Sequence, residues 1–267
     1  MSSAALVFWL QIAAIIGCGL TGFALYRTHL HKRYRWFFWY FLFRIFDNIA
    51  ATCFIQFLGV KSIEYFWLWV IMTPIFWIFY VAVVLELYRL ILAKHPGLYT
   101  LGRWGMYLGM TLAVAFSLIT LLPRISTTLP ARSQRMFQIM AVDRGVTFGL
   151  AFFLLLTVFC LTFLYPVPLS RNVKLHAVLY TLFFLGGSVG SLLHTFFNLK
   201  YANSIDTAFL AFSSVCTFMW FFFLTPKGEE VRVRLPKLAP DYETRLLEQI
   251  ESLNATLMKV SRPTVPR

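Results

Sequence analysis

The chain alternates between long apolar runs and short polar segments. Each run is close to the roughly 20 residues that a helix needs to cross a hydrocarbon core about 30 Å thick. Prolines and glycines mark several of the ends, among them Pro96 with Gly97, and Pro166 with Pro168. The pattern therefore predicts an all-α polytopic membrane protein with seven transmembrane helices. The predicted spans are 4–26, 37–60, 66–92, 104–123, 137–165, 175–197 and 205–225.

The segment that follows the last span is polar. Pro236 and Pro240 bracket a predicted linker over 226–240, and Asp241 is a suitable N-cap for a helix over 241–262. Within that helix, apolar residues recur at alternating spacings of four and three, which is the stripe of a short coiled coil. We therefore expect a seven-helix bundle over 1–225, a linker and an amphipathic cytoplasmic helix. The stripe consists of Leu246, Ile250, Leu253, Leu257 and Val260.

Three roles remain open for this terminal helix. Its polar face balances acidic and basic side chains, whereas a helix that lies on a membrane surface has a lysine-rich face. We favour contact with a partner protein or with a second copy of the chain. The alternatives are docking back onto the bundle and no defined role. The polar face carries Glu243, Glu248, Glu251, Arg245 and Lys259.

Composition excludes a soluble globular enzyme, because 59% of the residues are hydrophobic and only 13% are charged, against about 25% in an ordinary soluble domain. The formal net charge of +13 favours either nucleic acid or an anionic membrane surface as a partner. Residues 31–36 mix basic and aromatic side chains in a short loop between two spans. This position predicts contact with anionic inner-leaflet lipids, and we expect no nucleic-acid partner.

The distribution of basic residues predicts the orientation, because Lys and Arg in short loops are retained on the cytoplasmic side. With the N-terminus outside, most of the 24 Lys and Arg residues face the cytoplasm. We therefore predict a multi-pass protein of the cell (inner) membrane with its N-terminus outside and its C-terminus in the cytoplasm. The basic residues left outside are Lys61, Arg124, Arg132, Arg135 and Lys200.

An inner group of polar side chains lies within the second and third spans, where each charge costs at least about 2.5–3.5 kcal/mol. Arg44, Asp47 and Asn48 share one helical face because they are three and four residues apart. Glu86 and Arg89 lie near the cytoplasmic end of the third span, and Glu86 is predicted at about the depth of Arg44. We expect these two to meet. We favour a structural ion pair that fixes helix register; the alternatives are a proton or ion relay and a charged hinge.

An outer group is predicted from Asp143 and Arg144 on the fifth span, His194 on the sixth and Asp206 on the seventh. We favour solvation of these groups in the interfacial zone, with Asp206 capping its helix. Two alternatives are a divalent metal site, for which Zn²⁺ normally takes three protein ligands, and a proton-binding site that titrates at the histidine. No metal-binding sequence motif supports the first alternative, so we predict no metal and no cofactor.

One stretch carries a resemblance to other proteins. Residues 85–103, LELYRLILAKHPGLYTLGR, join an acidic-aromatic helix end to His-Pro-Gly-Leu and then Gly-Arg. This stretch resembles a group of uncharacterised bacterial seven-helix membrane proteins, in which a similar helix end leads into a Pro-Gly-Leu loop. A short charged helix often closes the chain in that group. The resemblance implies a seven-helix body and a terminal helix, and it implies no activity.

The last predicted span, 205–225, contains neither lysine nor histidine. A microbial rhodopsin needs a lysine there, and a zinc hydrolase of the ceramidase kind needs a pair of histidines. A rhomboid-like protease built on Ser188 needs a histidine on a later helix to activate the serine, and the last span has none. The functions that remain are a non-enzymatic sensor or scaffold that couples through the terminal helix, which we favour, and a small-solute or ion transporter that uses the inner charges. A membrane enzyme is a more distant third.

Reporter fusions test the predicted orientation. We expect a fluorescent protein fused to the C-terminus to be bright and a phosphatase fused at the same place to be inactive, because the phosphatase folds only outside the cytoplasm. The measurement is the activity of both fusions in intact bacterial cells. An active phosphatase fusion contradicts the orientation.

Overall fold

The computed structural model describes residues 3–59, 62–92, 96–120, 131–160, 169–197, 201–229 and 240–261. Every regular element in these ranges is helical, which confirms the predicted all-α class. Short 3₁₀ turns at Leu30–Lys32 and Pro226–Glu229 follow the first and seventh α-helices. The α-helices are α1 (Ser3–Arg27), α2 (Arg35–Leu58), α3 (Ile63–Ile91), α4 (Pro96–Ile119), α5 (Ala131–Phe159), α6 (Arg171–Phe197), α7 (Ala202–Phe223) and α8 (Pro240–Ser261).

Six of the described helices, α1, α2, α3, α5, α6 and α7, are long and apolar enough to cross a membrane. Helix α4, which carries Arg103, is not among these six. Large apolar side chains such as Phe57, Ile78 and Phe116 are exposed on the outside of the molecule. Such a surface is compatible with a multi-pass protein whose outside faces lipid. The span ends predicted at residues 60, 123 and 165 lie outside the described residues.

The same six helices surround a common interior. Neighbours in this ring pack in the order α1, α2, α3, α5, α6 and α7, and α7 returns to α1. One half of the interior is filled by fully buried aromatic rings, among them Phe37, Phe41 and Trp220. The Phe37 ring meets those of Phe41 and Trp220 edge-to-face, at centroid distances of 4.6 and 5.3 Å. Rings in this geometry attract one another beyond the simple burial of their area.

Helix α4 lies outside the ring, where it packs along α5. Two glycines of α5 make the close approach possible. A Cβ atom on Gly145 would lie 2.5 Å from Cα of Val114, and one on Gly149 would lie 3.0 Å from Cα of Met110. Small residues at a helix interface let two backbones approach closely. The resulting van der Waals contact holds helices together in lipid, where the hydrophobic effect does not drive their association.

Helix α8 docks onto α4. The backbone N–H of Gly97, in the first turn of α4, donates to Oδ1 of Asn254 at 2.9 Å. A Cβ atom on Gly97 would lie 3.0 Å from Cβ of Leu257. Ile250 is buried, whereas Leu253 is 42% exposed. Part of the apolar stripe is therefore covered by the bundle, and only the rest of it is exposed to a partner protein. The side chains of the remaining stripe residues, Leu246 and Val260, lie outside the described residues.

The start of the predicted linker over 226–240 is part of the bundle in the structure. Residues 226–229 form a 3₁₀ turn in contact with α6, so they belong to the bundle. The rest of the linker, 230–239, lies outside the described residues. Helix α8 begins at Pro240 and ends at Ser261, one residue from each predicted boundary.

The close contact between α4 and α5 predicts that a methyl group added at Gly145 lowers the stability of the protein. We expect Gly145→Ala to lower the free energy of unfolding by about 1–3 kcal/mol, because the new Cβ atom collides with backbone and overpacks the interface. Thermal unfolding of the purified protein in detergent measures it. Gly109→Ala on α4 is the matched control, since a Cβ atom there meets nothing within 4 Å. Equal stability of the two variants contradicts the prediction.

Candidate ligand-binding cavity

A cavity of about 230 Å³ lies in the interior between α2, α3, α5, α6 and α7. At roughly 30 Å³ for each water molecule, it holds about seven. Much of its wall is apolar and aromatic, with Phe76, Tyr80, Phe183 and Phe209 among the lining side chains. Its polar lining includes Arg44, Asp47, Asp143, Ser191, His194 and Asp206.

The cavity runs from one end of the bundle to about its middle. His194 and Asp206 lie near the ends of α6 and α7 that meet each other. Arg44 lies nine residues into α2, which is about 13 Å from the opposite end of the bundle at 1.5 Å per residue. The charged floor of the cavity therefore lies near the middle of the bundle, away from bulk solvent.

Arg44 interacts electrostatically with Asp47, three residues along α2, but forms no ion pair within the described part of the chain. Its guanidinium carbon lies 5.2 Å from the centre of the Phe76 ring, and the guanidinium makes neither a hydrogen bond nor an ion pair with a described residue. Asp47, one helical turn further along α2, likewise accepts no hydrogen bond from them. Both side chains line the cavity. Since an uncompensated charge is expensive inside a membrane protein, the two groups are suited to bind something that enters the cavity.

Asp143 is held in place from two sides. Its carboxylate accepts a hydrogen bond from the indole N–H of Trp77 on α3 at 2.9 Å and one from the hydroxyl of Ser191 on α6 at 3.2 Å. Two donors on different helices fix the orientation of the carboxylate. Asp143 thus presents a preorganised negative charge on the wall opposite α2.

His194 and Asp206 close the outer end of the cavity. Nε2 of His194 lies 2.7 Å from Oδ1 of Asp206, which joins α6 to α7. The histidine is buried and the carboxylate is exposed. The pair therefore lies at the mouth of the cavity, and the charged floor lies deeper.

The structure brings together side chains that the sequence assigned to two separate groups. Arg44 and Asp47 of the inner group share the cavity with Asp143, His194 and Asp206 of the outer group. Among the described residues, no three His, Cys, Asp or Glu side chains converge in a way that would hold a metal ion. The shared cavity is one polar site that mixes both signs of charge.

Glu86 does not pair with Arg44, so the prediction that they meet is wrong. Its carboxylate instead accepts hydrogen bonds from the backbone N–H groups of Trp36, at 3.0 and 3.1 Å, and of Phe37, at 3.3 Å. These N–H groups belong to the first turn of α2, where a helix leaves donors unsatisfied and its dipole attracts a negative charge. Glu86 is therefore a cap supplied by α3. The spacing of residues in the sequence gives the depth of Glu86 along α3 but not the side of the helix on which it lies. The capping role was therefore not predicted.

Two other members of the inner group also lie apart from the cavity. Arg89 is exposed at the end of α3. Asn48 is buried, and its Nδ2 atom has no hydrogen-bond partner among the described residues. Neither side chain lines the cavity. The face of α2 that lines the cavity therefore includes Arg44 and Asp47 but not Asn48.

Arg144 points away from the outer group in which the sequence placed it. Its Nε donates to the Ser117 hydroxyl at 2.8 Å, and its Nη2 donates to the carbonyl of Ser117 at 3.0 Å and to the Thr120 hydroxyl at 2.7 Å. These contacts attach α5 to α4. Asp143 and Arg144 are consecutive in a helix, so their side chains diverge by about 100° and serve different interfaces.

A cluster around Glu229, at the other end of the bundle, was not predicted from the sequence. The Glu229 carboxylate accepts hydrogen bonds from the Tyr34 hydroxyl at 2.7 Å and from Nδ2 of Asn172 at 2.6 Å, and it lies 2.9 Å from Nε of Arg33. Asn172 also donates to the carbonyl of Thr225 at 2.8 Å. Burial and the contact with Glu229 raise the pKa of Tyr34 well above its ordinary value, so the phenol keeps its proton and donates.

Three polar side chains within the aromatic half of the interior were missed as well. Nε2 of His176, the hydroxyl of Tyr180 and Nε1 of Trp220 are buried and have no partner among the described residues. The ring of Tyr180 lies 5.7 Å from that of His176 and 4.8 Å from that of Trp220. The only sequence signal was the four-residue spacing from Asn172 to His176 to Tyr180, which places them on one face of α6.

The capping role of Glu86 predicts two results. We expect Glu86→Ala to lower the free energy of unfolding by about 0.5–2 kcal/mol, since it removes the acceptor for the first turn of α2. We also expect exchange of the two charges, Arg44→Glu with Glu86→Arg, to give no recovery over the single changes. Unfolding in mixed micelles measures both. Glu64→Ala, at an exposed acidic position of the same helix, is the control, and recovery in the double variant would restore the direct pair.

The chain matches no protein-family model, no curated protein and no solved structure. What the protein does has to be inferred from the cavity and from the helices connected to it.

Proposed function

We propose that the protein is a non-enzymatic membrane sensor that binds a small polar molecule in the cavity and couples its occupancy to α8. The observation that carries this proposal is the guanidinium of Arg44, which lines a cavity near the middle of the bundle without a hydrogen bond or an ion pair to a described residue. A cation inside the bundle is stabilised when an anionic group binds its N–H donors, so the cavity favours occupancy by a molecule with an anionic group.

Helix α5 provides the connection from the cavity to α4. One face of α5 carries Asp143 and Thr147 into the cavity wall. Its other side, with Gly145, packs backbone-to-backbone against α4, and Arg144 binds the end of α4 through Ser117. Because packed helices transmit displacements as units, a shift of α5 on ligand binding moves α4.

Helix α4 in turn holds α8. The contact between Gly97 and Asn254 lies at the first turn of α4, where an unsatisfied backbone donor needs a cap. A movement of α4 therefore makes or breaks a hydrogen bond to α8. The face of α8 that stays exposed, which includes Leu247, Leu253 and Met258, is available to a partner protein or to a second copy of the chain.

We further propose that α4 is the seventh transmembrane helix. Leu101, Leu108, Leu112 and Phe116 are exposed along one face of α4, at spacings of seven, four and four residues. An exposed apolar face of this length is expected to contact lipid. Seven spans place the two termini on opposite sides, in line with the predicted orientation and with the resemblance to bacterial seven-helix proteins.

The loop between α1 and α2 supports the proposed contact with anionic lipids of the inner leaflet. Lys32 and Arg35 are exposed, and Trp36 is 48% exposed beside them. Basic side chains next to an indole suit the headgroup zone of a membrane with anionic lipids. This loop also carries Arg33, which lies next to Glu229.

A transporter is the second candidate, because the cavity ends halfway through the bundle. Below it lies the aromatic layer that includes Phe37 and Trp220, and polar atoms of His176 and Tyr180 are buried there without partners. An access route that opens on one side and is closed on the other is the arrangement of an alternating-access carrier. Solute flux that persists after deletion of residues 236–267 favours the transporter, whereas a sensor loses its output.

Coupling between the cavity and α8 is measurable without a ligand. We expect Asp143→Asn and Asn254→Ala to be non-additive in the free energy of unfolding by about 0.5–2 kcal/mol, because both sites act on the position of α4. Unfolding of the two single variants and the double variant in mixed micelles provides the cycle. Ser252→Ala, an exposed change on α8, replaces Asn254→Ala in the control cycle and should be additive with Asp143→Asn. Additivity of the first pair contradicts the coupling.

A further inference from the structure

We infer that the molecule bound in the cavity is a small zwitterion with adjacent ammonium and carboxylate groups, that is, a small α-amino acid or a close analogue. This inference rests on the proposed function, since it names the class of ligand for the same cavity. It is carried by the two opposite charges of α2 that line the cavity without a hydrogen bond or ion pair to a described residue, together with the fixed carboxylate of Asp143.

Arg44 supplies the site for the carboxylate of the ligand. A guanidinium offers parallel N–H donors that match both oxygens of a carboxylate, and this match is strongest where water is excluded. The guanidinium lies against the ring of Phe76, lines the cavity and makes no hydrogen bond to a described residue. Its N–H donors are therefore available to the contents of the cavity.

The ammonium group of the ligand has two carboxylate acceptors in the cavity, Asp47 and Asp143. Asp47 follows Arg44 by one turn of α2, which separates the two Cα atoms by about 4.5 Å along the helix axis. That distance suits a molecule whose ammonium and carboxylate groups are separated by one carbon. An ammonium has three donors, and Asp143 offers a second acceptor on the facing wall. Phe76 and Tyr80 add ring faces that attract a cation.

The charges of the cavity disfavour a ligand with only one sign. Arg44 and Asp47 balance each other in charge. A simple carboxylate at Arg44 would bring an excess negative charge beside Asp47, and a simple amine at Asp47 would bring an excess positive charge beside Arg44. Because an excess charge inside the bundle is costly, a molecule that brings both charges has a clear advantage over either half.

The size of the cavity limits the side chain of the ligand. Space for about seven water-sized groups fits an amino acid from glycine to about leucine. The apolar wall formed by Met72, Phe183 and Phe209 suits an aliphatic side chain rather than a polar one. We therefore expect affinity to rise from glycine to valine or leucine and to fall for tryptophan.

Binding to the full-length protein in nanodiscs tests the inference. The probes are glycine, alanine, valine, leucine and tryptophan, with isobutyrate and isobutylamine as matched single-charge halves of valine, at constant ionic strength. We expect valine or leucine to bind at least tenfold more tightly than isobutyrate or isobutylamine by calorimetry. Arg44→Lys, which keeps the charge but loses the paired donors, should weaken valine binding at least tenfold, as should Asp47→Asn. Arg89→Met and Glu64→Gln, at exposed positions, are the controls and should bind as the unchanged protein does.

Two results overturn the inference. The first is that no amino acid binds, and the second is that isobutyrate or isobutylamine binds as tightly as valine. Because Arg44→Lys keeps the positive charge, we expect it to fold. Its thermal unfolding midpoint is measured together with its affinity to show that weaker binding does not result from misfolding. The proposed sensor function fails separately: amino acids bind, but the cycle between Asp143 and Asn254 is additive.

Discussion

Placing a charged side chain among helices in a membrane is costly, and most of the polar contacts in this bundle are ways of meeting that cost. Arg144 meets it with hydroxyl and carbonyl oxygens of α4, Glu86 with the first backbone amides of α2, and Glu229 with three donors at the end of the bundle. Arg44 and Asp47 make no such contact with a described residue. The hydrogen-bonded charges connect the helices, whereas these two line the cavity in which we propose that a ligand binds. The same physical constraint thus separates structural side chains from functional ones.

The architecture depends on close contacts as much as on charge. The six-helix ring encloses the cavity, and α4 lies outside it and is held by the glycines of α5 and the hydrogen bonds of Arg144. This arrangement gives α5 two roles, as a wall of the cavity and as the support of α4. A change in the cavity therefore has a short route to the periphery of the molecule, through a helix pair whose backbones touch.

The helical class and the position of nearly every helix could be predicted from the sequence, because a 20-residue apolar run has few other structures open to it. The membership of His194 and Asp206 in one polar cluster followed from their places at adjoining helix ends. The presence of Arg44 and Asp143 in one cavity did not, because hydrophobic periodicity in a membrane helix is weak and does not tell which face turns inward. For the same reason Glu86 was assigned to the wrong partner and Arg144 to the wrong face. The contact of Asn254 with Gly97 was beyond reach, since nothing in an asparagine predicts which helix end it will cap.

The cluster around Glu229 has a consequence for any protein that approaches α8. It fixes the chain to the bundle four residues after Thr225, so only residues 230–239 separate this anchored point from the helix. A segment tethered so closely is present at its own docking site at an effective concentration in the millimolar range. A partner that needs the buried side of α8 has to exceed that intramolecular competition, whereas a partner that uses the exposed side does not. The tether thereby selects between partners by the face they recognise, and weakening the contact between Gly97 and Asn254 shifts the balance towards a partner that recognises the buried side.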